Sequence, residues 1–133
     1  YEVVATRETR TLHMPRETFV WLVENSITFN HFMLDHLNER LGQFIGMVKG
    51  ERLLQPTERV ARGIASLFHP MLYPNMDPAL RISQEELGWL VGISRQRVNA
   101  AVRQLENEGY IKTGYGVIHV IDVQRLRRYD GES

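Results

Sequence analysis

The chain of 133 residues contains no cysteine, which excludes disulfides and thiolate metal sites within it. It carries no net charge, because sixteen Lys and Arg residues balance sixteen Asp and Glu residues. No apolar run is long enough to span a membrane, and no signal peptide is visible, so we expect no membrane partner. Without an overall positive field, the location of charge is a better guide to a nucleic-acid partner than its sum.

Catalytic motifs are missing as well. The sequence has no H-E-x-x-H motif, no glycine-rich phosphate loop and no nucleophile elbow. Its five histidines are scattered, at His13, His31, His36, His69 and His119. His31 and His36 are five residues apart, a spacing that does not place them on one helix face. We therefore predict that the protein is not an enzyme and that its histidines are surface or packing residues without a metal.

Residues 82–109 predict two short helices joined by a tight turn. Ser83 is a suitable N-cap for the first helix, and Glu86, three residues on, completes a capping box. Gly92 can adopt the left-handed geometry that ends a helix, and Ser94 can cap the next one. This arrangement is typical of a helix-turn-helix, which makes double-stranded DNA the expected partner.

The second helix, at about residues 94–108, divides into two faces. The helical period directs one set towards the core: Val98, Ala101, Val102 and Leu105. The other face is polar, with two positive charges and no negative one: Arg95, Gln96, Asn99, Ala100 and Arg103. Arginine can bind guanine through two hydrogen bonds, and glutamine and asparagine can do the same for adenine. We predict that Arg95, Gln96 and Asn99 read bases; the alternative is an ordinary solvated face.

A hairpin is predicted directly after this helix, with strands at residues 110–113 and 117–123 and Gly114-Tyr115-Gly116 as the turn. Such a hairpin is a wing, and we expect Lys112 and the glycine-rich tip to meet the DNA backbone. The alternative is a hairpin that only covers the core. The residues assigned to phosphates are Ser83, Gln84, Ser94, Arg97, Lys112 and Arg103, the last of which could also contact a base.

A long helix is predicted at residues 26–50, because apolar residues recur there in heptads. One seam position holds Ile27, Leu34, Leu41 and Val48, and the other holds Asn30, Leu37 and Phe44. This pattern predicts a homodimer with these seven residues at its interface, in which a buried Asn30 would fix the register. The alternative is a single amphipathic helix packed on one core.

The remaining segments are shorter. Residues 1–14 have strand character, and Pro15 can open a helix with Phe19 on its apolar side. Residues 49–55 read as a polar hinge around Gly50, and Pro56 opens another helix whose inner stripe begins at Val60. Residues 69–78 form a predicted loop, and a short strand is expected at residues 80–82. Residues 122–129 predict a basic tail, as helix or coil.

The run ISQEELGWLVGISRQRVNAAVRQLENEGYI and the wing after it resemble the DNA-binding domain of the bacterial CRP/FNR superfamily, which includes the cyclic-AMP receptor protein. The resemblance extends more weakly over nearly the whole chain. It implies a mainly α fold with small β hairpins in three parts. Residues 1–25 would end an effector-binding β-roll domain, residues 26–50 would be the dimerisation helix, and residues 51–133 would form the winged helix-turn-helix domain.

The same resemblance implies a cytoplasmic, sequence-specific transcription regulator that binds a palindromic site as a homodimer, with RNA polymerase as a partner if it is an activator. The superfamily's effectors bind mainly upstream, so we expect no cofactor within this chain and leave the effector unidentified. Tyr1 lies in what reads as mid-strand, so we expect further residues before it. A winged-helix protein-interaction module is the alternative, although such a face should carry aromatic or aliphatic anchors rather than Arg95, Gln96 and Asn99.

Two residues depart from the cyclic-AMP receptor protein, which has Glu and Arg at the positions matching Gln96 and Ala100. Glu would accept a hydrogen bond from cytosine, whereas Gln96 can pair with adenine, and Ala100 can touch only a thymine methyl group. Arg95 matches an arginine of that protein. The expected half-site therefore keeps one guanine and differs at neighbouring positions.

Overall fold

The computed structural model describes residues 8–73 and 77–131. The chain divides into two compact units, Tyr1–Asp35 and His36–Ser133. The order of elements is α1 (Arg16–Asn25), α2 (Ile27–Leu53), α3 (Pro56–Ser66), β1 (Ala79–Leu80), α4 (Gln84–Val91), α5 (Arg95–Asn107), β2 (Ile111–Gly114), β3 (Val117–Val120) and α6 (Val123–Arg127). The predicted mainly helical fold with small β elements is confirmed.

The first unit contains α1 and the beginning of α2. Helix α1 follows Pro15, as predicted, and Phe29 of α2 packs edge-on against Phe19 of α1 with ring centroids 5.7 Å apart. Of the predicted strand at residues 1–14, Val3, Ala5 and Thr6 lie outside the described residues. The prediction is wrong for residues 8–14, which form neither helix nor strand. Alternation of residue types does not make a strand unless a neighbouring strand accepts its hydrogen bonds, and none pairs with this segment in the described structure.

Helix α2 is longer than predicted. Ser26 caps it, since the Phe29 backbone N–H donates to the Ser26 hydroxyl oxygen at 3.2 Å. The helix continues to Leu53, so the predicted hinge is wrong for residues 49–53 and only Leu54 and Gln55 separate α2 from α3. The Lys, Glu, Arg and Leu residues of this segment are good helix formers, and their preference outweighs the cost of about 1 kcal/mol for Gly50.

The core of the second unit lies between α3, α4, α5, α6 and one face of a three-stranded antiparallel sheet. The strands are ordered β1-β3-β2, with Leu80 opposite Ile118 and Ile111 opposite Val120. Most inner residues predicted for α3 and α5 are confirmed as buried: Val60, Ile64, Val98, Ala101, Val102 and Leu105. Leu67 and Phe68, predicted for the same side of α3, follow the end of that helix and pack partly buried against the core. Ile82 lies outside the short strand that was expected to include it, but it packs partly buried against this core.

The C-terminal tail is a helix that closes the core. The Asp122 carboxylate caps α6 by accepting from the Gln124 and Arg125 backbone N–H groups at 2.8 and 3.0 Å. Beyond the helix, Tyr129 is almost fully buried and meets the Tyr110 ring edge-on, with centroids 5.0 Å apart. The tail therefore packs against Tyr110, the residue that precedes the first strand of the wing.

Polar pairs join the second half of α2 to the segment after α3. They are Glu39 Oε2 with His69 Nε2 at 3.0 Å, Arg40 Nη1 donating to the Tyr73 hydroxyl at 3.2 Å, and Gln43 Nε2 donating to the Ser66 carbonyl at 3.2 Å. Arg40 also lies 5.4 Å from the Tyr73 ring centroid. By helical spacing, Glu39 and Gln43 are on the side of α2 away from Leu37 and Leu41. Within this unit, α2 thus contacts the winged domain through one face and leaves its apolar face exposed.

Candidate nucleic-acid interface

The helix-turn-helix begins with a complete capping box. The Ser83 hydroxyl accepts from the Glu86 backbone N–H at 3.1 Å, and the Glu86 carboxylate accepts from the Ser83 backbone N–H at 2.7 Å. Ser94 caps α5 in the same way, accepting from the Arg97 backbone N–H at 3.4 Å. Both serines are exposed, and their hydroxyls are already used as caps. Their assignment to phosphates stays a prediction.

The turn between α4 and α5 depends on two glycines. Gly92 has a left-handed backbone with φ of 67°, a conformation that suits glycine because it has no Cβ. A Cβ on Gly88 would lie 2.8 Å from the Ile93 carbonyl oxygen, so α4 and the turn approach more closely than any side chain would allow. This close approach sets the position of α5 against α4.

A residue that the sequence analysis did not single out also holds this turn. Arg59 of α3 donates through Nη2 to the Val91 carbonyl oxygen at 2.5 Å and lies 3.5 Å from the Gly92 carbonyl oxygen. These carbonyls end α4 and lack partners within the helix. Arg59 is 32 residues away from Val91 along the chain, so no local pattern could have revealed the contact.

Helix α5 has the two faces predicted for it. Its buried side consists of the core residues already named, and its exposed side carries Arg95, Gln96, Arg97, Ala100 and Arg103. Three of these five lie in the first turn. Among the described residues, no carboxylate forms an ion pair with Arg95, Arg97 or Arg103. The exposed face is therefore positively charged and free to meet an external acceptor.

Asn99 differs from these exposed residues. It is half-buried, and its side-chain Nδ2 donates to Gln84 Oε1 at 3.0 Å. Gln84 is the first residue of α4, so the bond joins the two helices of the motif. The structure thus brings together a residue predicted to read bases and one predicted to hold phosphates.

Arg97 lies beside the start of α3 and not only on the exposed face of α5. A cavity of about 560 Å³ separates these elements, and its lining includes Pro56, Thr57, Arg97, Ala100 and Gln104. Among the lining residues, the Thr57 hydroxyl donates to Gln104 Oε1 at 2.8 Å, and Gln104 Nε2 donates to the Tyr129 hydroxyl at 3.1 Å. Burial, reinforced by Glu108, raises the pKa of Tyr129, which keeps the phenol protonated. This network, which sequence reasoning missed, fixes α3, α5 and the tail together.

The wing is attached to the end of α5 by Glu106. Its carboxylate accepts from the Thr113 backbone N–H at 2.6 Å and from the Thr113 hydroxyl at 2.7 Å. Because β2 is an edge strand, alternate N–H groups have no strand partner, and Glu106 supplies one. Two hydrogen bonds lower the pKa of Glu106: the larger effect comes from the Thr113 backbone N–H and the smaller from the Thr113 hydroxyl. Lys112, which precedes Thr113 in β2, is exposed, and Tyr115 is fully exposed at the tip of the wing.

The predicted dimer residues lie along one side of α2. Ile27, Leu34, Leu37, Leu41, Phe44 and Val48 are all exposed in the single chain, Leu37 by 59%, Leu41 by 56% and Phe44 by 64%. Asn30 is half-buried, and its Nδ2 donates to the Val23 carbonyl at 2.8 Å, so its amide has a local role at the end of α1. No helix in the described ranges is long and apolar enough to cross a membrane.

The fold and the geometry define this protein as a winged helix-turn-helix, and comparisons with known proteins give its family. Residues 58–129 match the model of the Crp-like helix-turn-helix domain. The transcriptional regulator SdrP of Thermus thermophilus is 38% identical over 97 residues, which are 71% of this chain and 48% of that protein. The chain therefore belongs to the CRP/FNR family, and it spans about half the length of this curated relative.

Two solved structures share the fold. One is a transcriptional regulator of the CRP/FNR family from Thermus thermophilus, with a TM-score of 0.58 and 24% identity over 74% of this chain and 53% of its own. The other is the c-di-GMP responsive global regulator CLP of Xanthomonas campestris, with a TM-score of 0.53 and 22% identity over 80% of this chain and 55% of its own. The resemblance in fold extends beyond the helix-turn-helix.

Proposed function

We propose that this chain acts in a transcription regulator that binds a palindromic double-stranded DNA site as a homodimer. The observation that carries the proposal is the first turn of α5, where Arg95 and Gln96 are exposed and no carboxylate of the described ranges is paired with them. Recognition helices enter the major groove with their N-terminal residues, and these side chain types match purine edges there. Family membership supports the same conclusion.

Base reading is assigned to Arg95, Gln96 and Asn99. Phosphate contacts are assigned to Ser83, Gln84, Ser94, Arg97, Arg103 and Lys112. The positions of the residues support this division, because the three base-reading residues lie in the first half of α5. Arg97 lies towards α3, and Lys112 lies on the wing. Contacts from several elements around one helix would hold it in the groove at a fixed depth.

The homodimer is supported by the exposed side of α2. Large apolar side chains that recur every three or four residues over several turns form a patch that water-exposed helices rarely carry. The polar pairs at Glu39, Arg40 and Gln43 leave this side free while joining the helix to the winged domain. Two helices paired along the seam would each carry one α5, suited to half-sites about 34 Å apart.

Other parts of the proposal rest on the family alone. RNA polymerase is a further partner if the protein activates transcription, and the location is the cytoplasm. The superfamily's effectors bind mainly upstream, so no cofactor is assigned to this chain. A protein-interaction module is the competing function, and the exposed Trp89 of α4 is the one feature of the helix-turn-helix that favours it, because tryptophan is common among interface anchors.

Selection from randomised duplexes tests the proposal directly. We expect one palindromic sequence to be enriched, with half-sites about 10 base pairs apart. The affinity for this sequence should fall steeply between about 50 and 200 mM salt, as phosphate contacts require. Absence of any enriched sequence, together with absence of duplex binding at low salt, would contradict DNA binding and leave the interaction module.

A further inference from the structure

The bond between Gln84 and Asn99 has a consequence for the base that Asn99 can read. An asparagine amide has two N–H hydrogens and one carbonyl oxygen. One hydrogen of Asn99 Nδ2 is donated to Gln84 Oε1 at 3.0 Å. When Gln84 accepts the hydrogen that points away from the amide oxygen, the amide keeps its other hydrogen and the oxygen as one donor and one acceptor side by side. Adenine offers the complementary pattern in the major groove, with N7 as acceptor and the N6 amino group as donor.

The bond also fixes the orientation of the amide. The terminal torsion of asparagine is broad, so an unbonded side chain can turn its oxygen and nitrogen towards different partners. Gln84 can accept from Asn99 only when the nitrogen points towards α4. The half-buried position of both residues restricts this rotation further. The donor and acceptor of Asn99 are thus set before DNA arrives, which reduces the entropic cost of binding.

The other end of Gln84 is free to contact DNA. Its Nε2 carries two hydrogens, and no bond from Nε2 is found among the described residues. Gln84 is the first residue of α4, at the end of the helix-turn-helix where the chain would approach the backbone. One glutamine can therefore bind a phosphate oxygen through Nε2 and orient Asn99 through Oε1.

We propose that Gln84 is a positioning residue for base recognition, which orients Asn99 to read adenine and ties that reading to a backbone phosphate. The inference rests on the proposed function, because it assumes that α5 enters the major groove. It gives Gln84 a role in sequence preference beyond a phosphate contact. Among the residues that the structure describes, neither Arg95 nor Gln96 has a comparable side-chain partner, so we expect the DNA itself to orient them.

The test is a selection on half-sites randomised at the base pair that Asn99 contacts, found first with Asn99→Ala. The wild type should prefer adenine there by roughly 5- to 150-fold, the range of one bidentate contact. Gln84→Met keeps the length of the side chain but removes the acceptor, and it should reduce this preference by roughly 2- to 10-fold. Gln124→Met is the matched control, because Gln124 is exposed on α6, and it should change nothing.

Gln84→Glu separates positioning from affinity. A carboxylate can still accept from Asn99 Nδ2, so the adenine preference should be retained. The added negative charge should weaken binding to all duplexes, since it replaces a donor near phosphate. Asn99→Asp has only acceptors and should shift the preference to a base pair with cytosine, whose N4 group donates.

Three outcomes would overturn the inference, and they are distinguishable. If the wild type selects no sequence, the proposed function fails and this inference fails with it. If the wild type selects a sequence and Gln84→Met retains the full adenine preference, only the role of Gln84 is wrong. Loss of preference in both Gln84→Met and Gln84→Glu, with the thermal unfolding of both unchanged, would also contradict it, because the acceptor would then not be the relevant group.

Discussion

The two ends of the described chain differ in how far a single copy can bury its apolar side chains. Among the described residues, the winged domain has a continuous core of seventeen buried hydrophobic residues between Val60 and Tyr129. Before Val60, none of the residues whose burial is described is buried, although α2 carries several large apolar side chains. A single chain therefore buries the apolar side chains of the winged domain, whereas it leaves those of the long helix exposed.

This difference identifies the surface to which the proposed second copy would bind. Removing apolar surface from water stabilises a protein or complex by about 25 cal/mol for each Å² buried. A second copy of α2 would cover the exposed leucines without disturbing the winged domain, because the polar pairs to that domain lie mainly on the opposite side. We therefore expect substitutions in the two regions to have separable effects.

The largest effect should come from charging the apolar side of α2. Leu37→Glu together with Leu41→Glu should give a monomer, because like charges would face each other across the seam. Binding to the palindrome should fall by roughly 100-fold or more, since the half-sites are no longer bound as a linked pair. Sedimentation gives the mass. The paired control, Gly42→Glu with Gly46→Glu, adds the same charge where nothing lies within 4 Å. A dimer that survives the leucine changes would place the interface elsewhere.

The next largest effect is on stability, and it compares alanine substitutions at a closely packed glycine and at an exposed one. Gly88→Ala places a Cβ 2.8 Å from the Ile93 carbonyl and should destabilise the winged domain by about 1–3 kcal/mol. Gly46→Ala meets no atom within 4 Å and should stabilise α2 by about 0.5–1 kcal/mol, because alanine favours helix. Urea denaturation measures both. Equal free energies of unfolding for the two variants would mean that the turn can relax around a methyl group.

Removal of arginines from α5 should leave folding unchanged and alter DNA binding in two ways. Arg95→Ala should cost about 1–3 kcal/mol and relax the preference at one base pair. Arg97→Ala should weaken binding to all sequences alike and reduce the salt slope by about one unit. Arg128→Ala, an exposed arginine beyond α6, controls for the loss of charge alone. If Arg95→Ala weakens every duplex equally, Arg95 binds phosphate and the assignment of the reading face is wrong.

The smallest effect concerns the attachment of the wing. The pKa of Glu106 is lowered in the folded protein, so its contribution to stability is present above its ordinary value of 4.5. That contribution is lost as the pH falls through the lower, folded pKa. Glu106→Gln should therefore lower the melting temperature slightly at pH 7, and the difference from wild type should shrink below pH 4.5. A difference that is independent of pH would mean that the carboxylate charge has no part in holding Thr113.

The elements that the sequence predicted well are those set by neighbouring residues. Ser83 and Glu86 are three apart, and Gly92 acts on its own backbone, so the helix-turn-helix could be located closely. The contacts of Arg59 with Val91 and of Glu106 with Thr113 depend on tertiary approach, which spacing does not reveal. The hinge prediction is wrong for residues 49–53 because a polar composition does not by itself indicate a loop, and most of these residues favour helix.

The division of α5 into two faces bears on how such a protein can change over evolutionary time. Arg95, Gln96 and Arg103 contribute nothing to the core, so, if α5 reads DNA as proposed, their replacement would redirect the protein to another operator while the fold stays intact. Asn99 is hydrogen-bonded to Gln84, so a new base preference at Asn99 would, under the same proposal, require a compatible residue on a different helix. In related proteins, we therefore expect the operator to diverge first at base pairs contacted by Arg95, Gln96 or Arg103. The base pair contacted by Asn99 should diverge last, because Gln84 would have to change with it.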